Sequence, residues 1–272
     1  MGSPADLRFG ASEQETRAID YLSRPGPVRM AQDWFAIAPI DHFWVQRRFA
    51  VAQKLAEPLI ASAAQIAEIG CGHGLLQRQI EDAYGKQVWG CDLNEHALRQ
   101  NISRRSKVCC YDVFQRNAAL RATFDLILLF DVLEHLPDEP AFLDAILFHL
   151  APEGKLIINV PAGQSLFSAY DVVNGHFRRY SIASFRRTME GNHLELKSWT
   201  YWGLPLVPAL FLRKYWLMHK TDEREITSAG FDSRSPVLNR GMNEFAKLEW
   251  IPQHFFGTSL MAICARSEQP SA

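Results

Sequence analysis

Three alternate glycines, Gly70, Gly72 and Gly74, follow an apolar stretch that carries a single carboxylate, Glu68. Lacking Cβ atoms, such residues accept positive φ, let the chain reverse, and let a bound molecule approach the N–H groups of the turn. That is equipment for holding a small cofactor. Asp92 lies 22 positions after Gly70 (92 − 70), at the end of a second apolar run, where a carboxylate accepts both hydroxyls of an adenosine ribose. Two further groups carry chemistry of another kind. Asp131, Glu134 and His135 fall close together, and His176, Arg178, Arg179 and Tyr180 put an imidazole, two fixed cations and a phenol on one short stretch. An arginine forks onto a carboxylate or phosphate, and a histidine takes a proton near neutral pH.

A strand, an acidic residue and a glycine turn serve either of two cofactors, a dinucleotide or S-adenosylmethionine. Spacing separates them. The dinucleotide fingerprint is G-x-G-x-x-G, and counting from Gly70 reaches Gly72 and then Leu75 where the third glycine belongs. The pattern here is E-x-G-x-G-x-G. Leu75 therefore disfavours an NAD-dependent oxidoreductase, which stands as the alternative.

These residues need a scaffold. From residue 65 onward, short apolar runs alternate with amphipathic segments, the pattern of parallel strands joined by helical crossovers. Strands are expected at 65–69, 87–91, 107–111, 124–130 and 154–160, with two more at 193–201 and 257–266. FDLILLF, at 124–130, is apolar almost throughout, as a strand covered on both faces must be, and belongs in the middle of the sheet. A helix over 41–60 has Asp41 as its expected cap and Val45, Phe49, Ala52, Leu55 and Leu59 at helical spacing. The helix before APEGK is expected to stop at that turn, at Gly154, and Ser181 caps another that ends at Gly191.

Composition narrows the setting. A formal net charge of −1 gives no global field for a polyanion, so no nucleic-acid partner is expected. Five cysteines, Cys71, Cys91, Cys109, Cys110 and Cys264, show no zinc spacing, and their odd number points to reduced thiols in a cytoplasmic protein. The polar first residues match neither a signal nor a transit peptide. Nothing in the sequence indicates the oligomeric state.

Taken together, EIGCGHG, GCDLN, FDLILLFDVLEHLPDE and LAPEGKLIINVPA resemble motif I, the ribose-binding acidic loop and motifs IV to VI of class I S-adenosylmethionine-dependent methyltransferases. The resemblance runs from about Asp41 to Arg266. It implies an α/β, Rossmann-like, doubly wound seven-stranded sheet with the last strand antiparallel, an N-terminal helical segment, and a helical insertion before that strand. It also implies S-adenosyl-L-methionine at the C-terminal ends of the first strands and methyl transfer by in-line displacement at the sulfonium.

The resemblance assigns residues as well. Gly70, Cys71, Gly72 and Gly74 would face the methionine moiety with Glu68 in support, and Asp92, with Leu93 beside it, would hold the ribose. Asp112 would meet the adenine amino group next to Val113, while Asp131 and Val132 would line the floor below the sulfonium. The corresponding divisions are a flexible leader (1–30), an N-terminal helical cap (31–62), the cofactor-binding core (63–202), a helical lid insertion (203–256), and the last strand with its tail (257–272).

Within the family, G-H-x-R-R-Y-S, HFWVQRR and FGTSLMAICAR resemble a bacterial, type 11/23-like subgroup of small-molecule methyltransferases. The expected acceptor is small or lipid-like and anionic, with O- or C-methylation preferred; FDVL stands where amine-directed relatives carry [D/N]PPY. His176 or Tyr180, with His135 nearby, would align or deprotonate the acceptor, and Arg178 and Arg179 would read its charge. The arginines could instead pair with acidic residues and fix their loop. Aromatic residues of the cap, Trp34, Phe35, His42, Phe43 and Trp44, and of the later segment, Trp199, Tyr201, Trp202, Phe211, Tyr215 and Trp216, would close as a lid or else cement helices to the sheet.

The run D-x-x-E-H at 131–135 resembles the metal-binding E-x-x-E-H of small-RNA 2′-O-methyltransferases, a minor alternative. No metal is expected, because metal-free relatives carry L-E-H-L and no further histidine cluster is evident. LPLVPALFLRKYWLM is too short and too interrupted to span a bilayer, although it could lie on one. A protein that binds S-adenosylmethionine and transfers nothing is the remaining alternative.

Overall fold

The computed structural model describes residues 18–26, 39–222, 225–226 and 236–267. Trp34 and Phe35, most of the leader and positions 227–235 of the insertion lie outside these residues. The strands are β1 (Asp20–Tyr21), β2 (Ile66–Ile69), β3 (Val88–Asp92), β4 (Lys107–Cys110), β5 (Phe124–Phe130), β6 (Leu150–Pro161), β7 (Leu194–Trp202) and β8 (Ser259–Arg266). They form one sheet in the order β1-β4-β3-β2-β5-β6-β8-β7. Pairing is parallel from β1 to β6, and β8 runs antiparallel to both β6 and β7. The strand order reverses at β2, so the turn that leaves β2 opens at the switch point where open α/β sheets bind ligands.

The seven expected strands are joined by an eighth. Asp20 and Tyr21 pair with Cys109 and Cys110, inside the stretch expected to be a flexible leader. Two residues are too few to show a strand period. A second difference concerns the start of β6. Phe124 pairs with Leu150 and Leu126 with Lys155, so APEG bulges out of a strand that already begins at Leu150, and the preceding helix ends at His149 without using Gly154.

β5 lies between β2 and β6 and sends Ile127 and Leu129 to one face and Leu126, Leu128 and Phe130 to the other. Helices α1 (Phe43–Ser62) and α2 (Leu75–Tyr84) supply Phe49, Val51, Leu76 and Ile80 to the second of these faces. Short helix α3 (Glu95–Arg99) follows β3. α4 (Glu139–His149) and α6 (Ile182–Glu190) cover the first face through Leu143, Ile146, Phe185 and Met189. Burying both faces removes apolar area worth roughly 25 cal/mol per Å² and accounts for the uninterrupted apolar strand.

The N-terminal helix differs from expectation at its start. His42 is the cap in place of Asp41, its Nδ1 accepting from the Trp44 N–H at 3.2 Å. Pro58 lies within α1, and the helix kinks at Ala56 (φ −135°, ψ 16°), because proline lacks the N–H that would bond one turn back. Ser181 caps α6 as expected, accepting from the Ser184 N–H at 3.1 Å, and the helix ends before Gly191. Between them lies α5 (Ala169–Val173).

The late insertion contributes α7 (Val207–Leu217) and α8 (Pro236–Lys247). α8 docks on the start of α1, where Asn239 accepts from the Phe43 N–H at 2.7 Å and donates to the Asp41 carbonyl at 2.9 Å. Among the described residues, no helix is long and apolar enough to cross a membrane.

Candidate active site

The glycine turn after β2 has φ of +77° at Gly70, +52° at Gly72 and +80° at Gly74, a region that residues with a Cβ rarely enter. Their surroundings differ. A Cβ on Gly70 would stand 2.6 Å from Val132 Cγ2 and one on Gly74 2.5 Å from the Asn101 amide, whereas one on Gly72 would meet nothing within 4 Å. Gly70 and Gly74 therefore let the turn pack on the protein, and Gly72 leaves an opening. The Gly70 and Cys71 N–H groups both donate to the Cys91 carbonyl, at 2.8 and 3.2 Å.

Asp92, at the end of β3, closes the turn from the other side. One carboxylate oxygen accepts from the Gly72 N–H at 2.8 Å and the other from the Asn94 N–H at 2.8 Å. Burial raises its carboxyl above the usual range, against these hydrogen bonds. Leu93 packs on Gly26 and accepts from its N–H at 3.1 Å. Asp112 caps the turn 113–115 by accepting from the Phe114 N–H at 3.0 Å, and its own N–H donates to Ser23 at 2.9 Å, with Val113 buried beneath. The segments that the resemblance directs to the cofactor thus follow the C-terminal ends of β2, β3 and β4, and Asp131 follows β5.

Glu68 points inward from β2. It is 3 % exposed, its Oε2 has no hydrogen-bond partner among the described residues, and burial pushes its carboxyl up to about 8, although Arg48 pulls the other way. Arg48 reaches the site from α1 and donates to Asp131 at 2.6 Å, with its guanidinium 4.9 Å from the Trp44 ring centroid and 5.3 Å from that of Phe130. Asp131 has φ +59° and accepts a second bond from Asn159 at 2.7 Å, and Asn159 in turn accepts from the Trp202 indole at 2.8 Å. His73, between two of the glycines, is pushed down to about 4 by burial and by Arg48. A charged network therefore runs from the cap through the end of β5 to the end of β7.

The sequence marks Arg48 only as a charge within HFWVQRR and does not single out Asn159. The signal for Asn159 was a lone amide within LIINV, a run otherwise apolar.

Beyond Asp131, the chain turns through Leu133–His135 and brings His135 beside His176, with ring centroids 4.7 Å apart and planes 84° apart. A second histidine does stand next to the L-E-H-L step, contrary to expectation, because the 174–177 loop folds back on it: the Phe177 N–H donates to the Glu134 carbonyl at 2.8 Å. Burial and His176 push His135 down to about 4. His176 Nδ1 lies 3.0 Å from Asp171, whose fully buried carboxylate also takes Arg179 Nε at 2.7 Å and the Ser168 N–H at 2.9 Å. Burial opposes ionisation of Asp171, but the hydrogen bonds from His176 and Arg179 prevail and hold it below the usual carboxylate range.

Both arginines of the GHFRRY loop have protein partners. Arg179 is buried on Asp171, and Arg178 pairs with Glu139 of α4. The Tyr180 hydroxyl donates to the same Glu139 at 2.7 Å, and burial with this bond keeps the phenol protonated. Asp171 and Glu139 carry no recognisable motif, so neither was predicted. At the cap, Trp44 lies 5.5 Å from Trp202, ring centroid to ring centroid, and His42 is buried at the helix start. Phe43, Trp44, Trp202, Leu206, Met242 and Phe245 line a narrow apolar crevice between cap and insertion.

Comparison with known proteins fits this geometry. A family profile described as a methyltransferase domain matches residues 40–199, more than half of the chain. A ubiquinone biosynthesis O-methyltransferase of Idiomarina loihiensis is 30% identical over 101 residues, 35% of this chain and 41% of that protein. A probable S-adenosylmethionine-dependent methyltransferase of Mycobacterium tuberculosis is 31% identical over 126 residues, 45% of this chain and 44% of that protein. The chain thus spans less than half the length of these curated relatives. The solved structure of a methyltransferase from Archaeoglobus fulgidus superposes with a TM-score of 0.51 at 17% identity, covering 83% of this chain and 96% of that one, and shares the fold. With a glycine turn at the sheet's switch point and a carboxylate at the end of the next strand, the chain belongs to the methyltransferase domain family, of the class I, S-adenosylmethionine-dependent type.

Proposed function

We propose that the chain transfers the methyl group of S-adenosylmethionine to an oxygen of a small or lipid-like acceptor that carries an anionic group. The observation that carries this reading is the contact between Gly70 and Val132, which joins the glycine turn to the start of the Asp131–His135 step. On this reading the cofactor-facing backbone and the His135–His176 pair would flank the methyl group to be transferred. The acceptor oxygen attacks the methyl carbon in line, the S–C electron pair leaves with sulfur as a neutral thioether, and the oxygen's proton passes to water, while His176, its ring fixed by Asp171, positions the acceptor. Because the leaving group is neutral, position contributes more to such a step than strong acid or base catalysis.

The similarity to a ubiquinone biosynthesis O-methyltransferase supports oxygen over nitrogen or carbon. His42 holds the helix start behind the narrow crevice beside Trp44 and Trp202. The anionic group would bind Arg178 in exchange for Glu139. The cofactor would contact Gly70, Cys71, Gly72 and Gly74 at the methionine moiety, Asp92 and Leu93 at the ribose, and Asp112 and Val113 at the adenine. Exposed apolar side chains, with Trp250 at 82% and Phe255 at 87%, favour a peripheral position on a lipid surface from which such an acceptor would be drawn.

The test is formation of S-adenosylhomocysteine from matched acceptors: phenols with and without a carboxylate, and the corresponding amines. Turnover is expected with the anionic phenols, and Arg178→Ala should raise their KM about tenfold with kcat retained. Transfer to amines alone would overturn the atom assignment. An unchanged KM would remove Arg178 from recognition, and cofactor binding with no turnover would favour a non-catalytic role.

A further inference from the structure

We propose that Glu134, His135 and His176 form a binding site for a divalent transition-metal cation of the zinc, iron(II) or manganese class. Each side chain offers one ligand atom, and these atoms all lie within 4.8 Å of one another. Glu134 supplies the independent observation. Its side chain is 1 % exposed, and its Oε2 makes no hydrogen bond among the described residues. A buried carboxylate oxygen without a partner is costly, and a cation beside it removes the cost.

The surroundings suit the task. His176 presents Nδ1 to Asp171 at 3.0 Å, which fixes the ring and leaves Nε2 for a cation, and Asp171 is itself anchored by Arg179 and Ser168. A carboxylate behind a ligating imidazole in this way orients it and raises its basicity. His135 is held similarly, by hydrogen bonds to the backbone carbonyls of Gly175 and Asn174. Asp131, the first residue of the D-x-x-E-H run, takes no part, since its two oxygens are bound to Arg48 at 2.6 Å and Asn159 at 2.7 Å. The site is therefore two imidazoles and one carboxylate drawn from two segments 41 positions apart (176 − 135), not a linear motif.

A cation bound at about 2.0–2.2 Å from each donor needs them roughly 3–3.5 Å apart, so side-chain torsions would draw the three inward by about 1 Å. Mixed imidazole and carboxylate ligands favour zinc, iron or manganese over calcium or magnesium. Three protein ligands leave positions open for a substrate oxygen. This part rests on the proposed oxygen acceptor: its hydroxyl, bound to the cation, would release its proton to water, and the resulting anion would attack the sulfonium methyl.

The experiment uses the full chain, stripped of metal by chelation and dialysis. Co²⁺ is added while visible absorption is recorded, and Zn²⁺ binding is measured by calorimetry, both without any acceptor. One equivalent with imidazole-type bands is expected, weakened about tenfold or more in His135→Gln and His176→Gln and retained in His254→Gln at the exposed surface. X-ray absorption of the zinc-loaded wild type should show nitrogen and oxygen neighbours only, a readout that needs no variant to fold. Absence of a stoichiometric site in the wild type, indifference to both substitutions, or sulfur neighbours would overturn the proposal. Because these readings involve no acceptor, such failure leaves the methyl-transfer assignment standing. Conversely, metal binding with no turnover on any hydroxyl acceptor would count against the acceptor alone.

Discussion

Replacing Glu68 by glutamine should stabilise the protein in alkaline solution and leave it almost unchanged in acid. Glu68 sits under the glycine turn, 3 % exposed, with one oxygen unpartnered, and burial lifts its carboxyl from 4.5 to about 8. Between these two values the folded chain keeps a proton that the unfolded chain has released. The unfolded state then binds fewer protons, so wild-type stability falls as pH rises through this window. A shift of about 3.5 units at roughly 1.36 kcal/mol each amounts to about 5 kcal/mol above pH 8. The glutamine amide takes over the partnerless position of the protonated acid with little change, so the two proteins match in acid and the variant keeps most of these roughly 5 kcal/mol at pH 9. Urea unfolding at pH 5, 7 and 9 measures it: the midpoints should separate progressively with pH. S-adenosylmethionine, whose ammonium and sulfonium favour the ionised carboxylate, should flatten the wild-type slope. A difference between the two proteins that does not vary with pH, or a variant less stable at pH 9, would refute the argument.

Other perturbations address neighbouring claims. Gly70→Ala combines φ +77° with a Cβ 2.6 Å from Val132 Cγ2, and should cost about 1–3 kcal/mol in denaturant unfolding and weaken the cofactor; a wild-type midpoint would show that Val132 simply moves aside. Asp92→Ala removes the partner of the Gly72 N–H together with the proposed ribose acceptor, so calorimetry should show S-adenosylmethionine affinity reduced about a hundredfold; affinity within a few-fold of wild type would exclude the ribose role. A Trp250→Ser, Phe255→Ser double variant should lose co-sedimentation with liposomes while keeping its melting temperature, and undiminished sedimentation would remove these side chains from any lipid contact.

The sheet was legible because its signals are local. Apolar runs bounded by turns located the seven longer strands, and FDLILLF announced its place in the middle because both of its faces are covered. The glycine turn was legible for a similar reason, since positive φ restricts the residue types that a position accepts. What escaped depends on contacts between distant segments. The strand of Asp20 and Tyr21 exists only because β4 offers a free edge, and His42 replaces Asp41 as a helix cap through the geometry of one turn. Arg48 was visible as a charge, yet nothing in HFWVQRR says that it, and not Arg47, reaches Asp131. The pairing of His135 with His176 follows from a loop that folds back on Glu134, and no spacing rule anticipates it.

The buried carboxylate of Glu249 bears on how specificity could be transplanted between relatives. It pairs with Arg47 of α1 at 3.2 Å and accepts from the N–H groups of Gly203 and Leu204, both at 2.9 Å, where the insertion begins. Cap and insertion are therefore wired to one anion. A chimera that imports only the insertion would strand the Arg47 guanidinium in an apolar site, at a cost of about 3–5 kcal/mol. The two segments, 202 positions apart in the chain (249 − 47), form a single exchangeable cassette and would need to be grafted together.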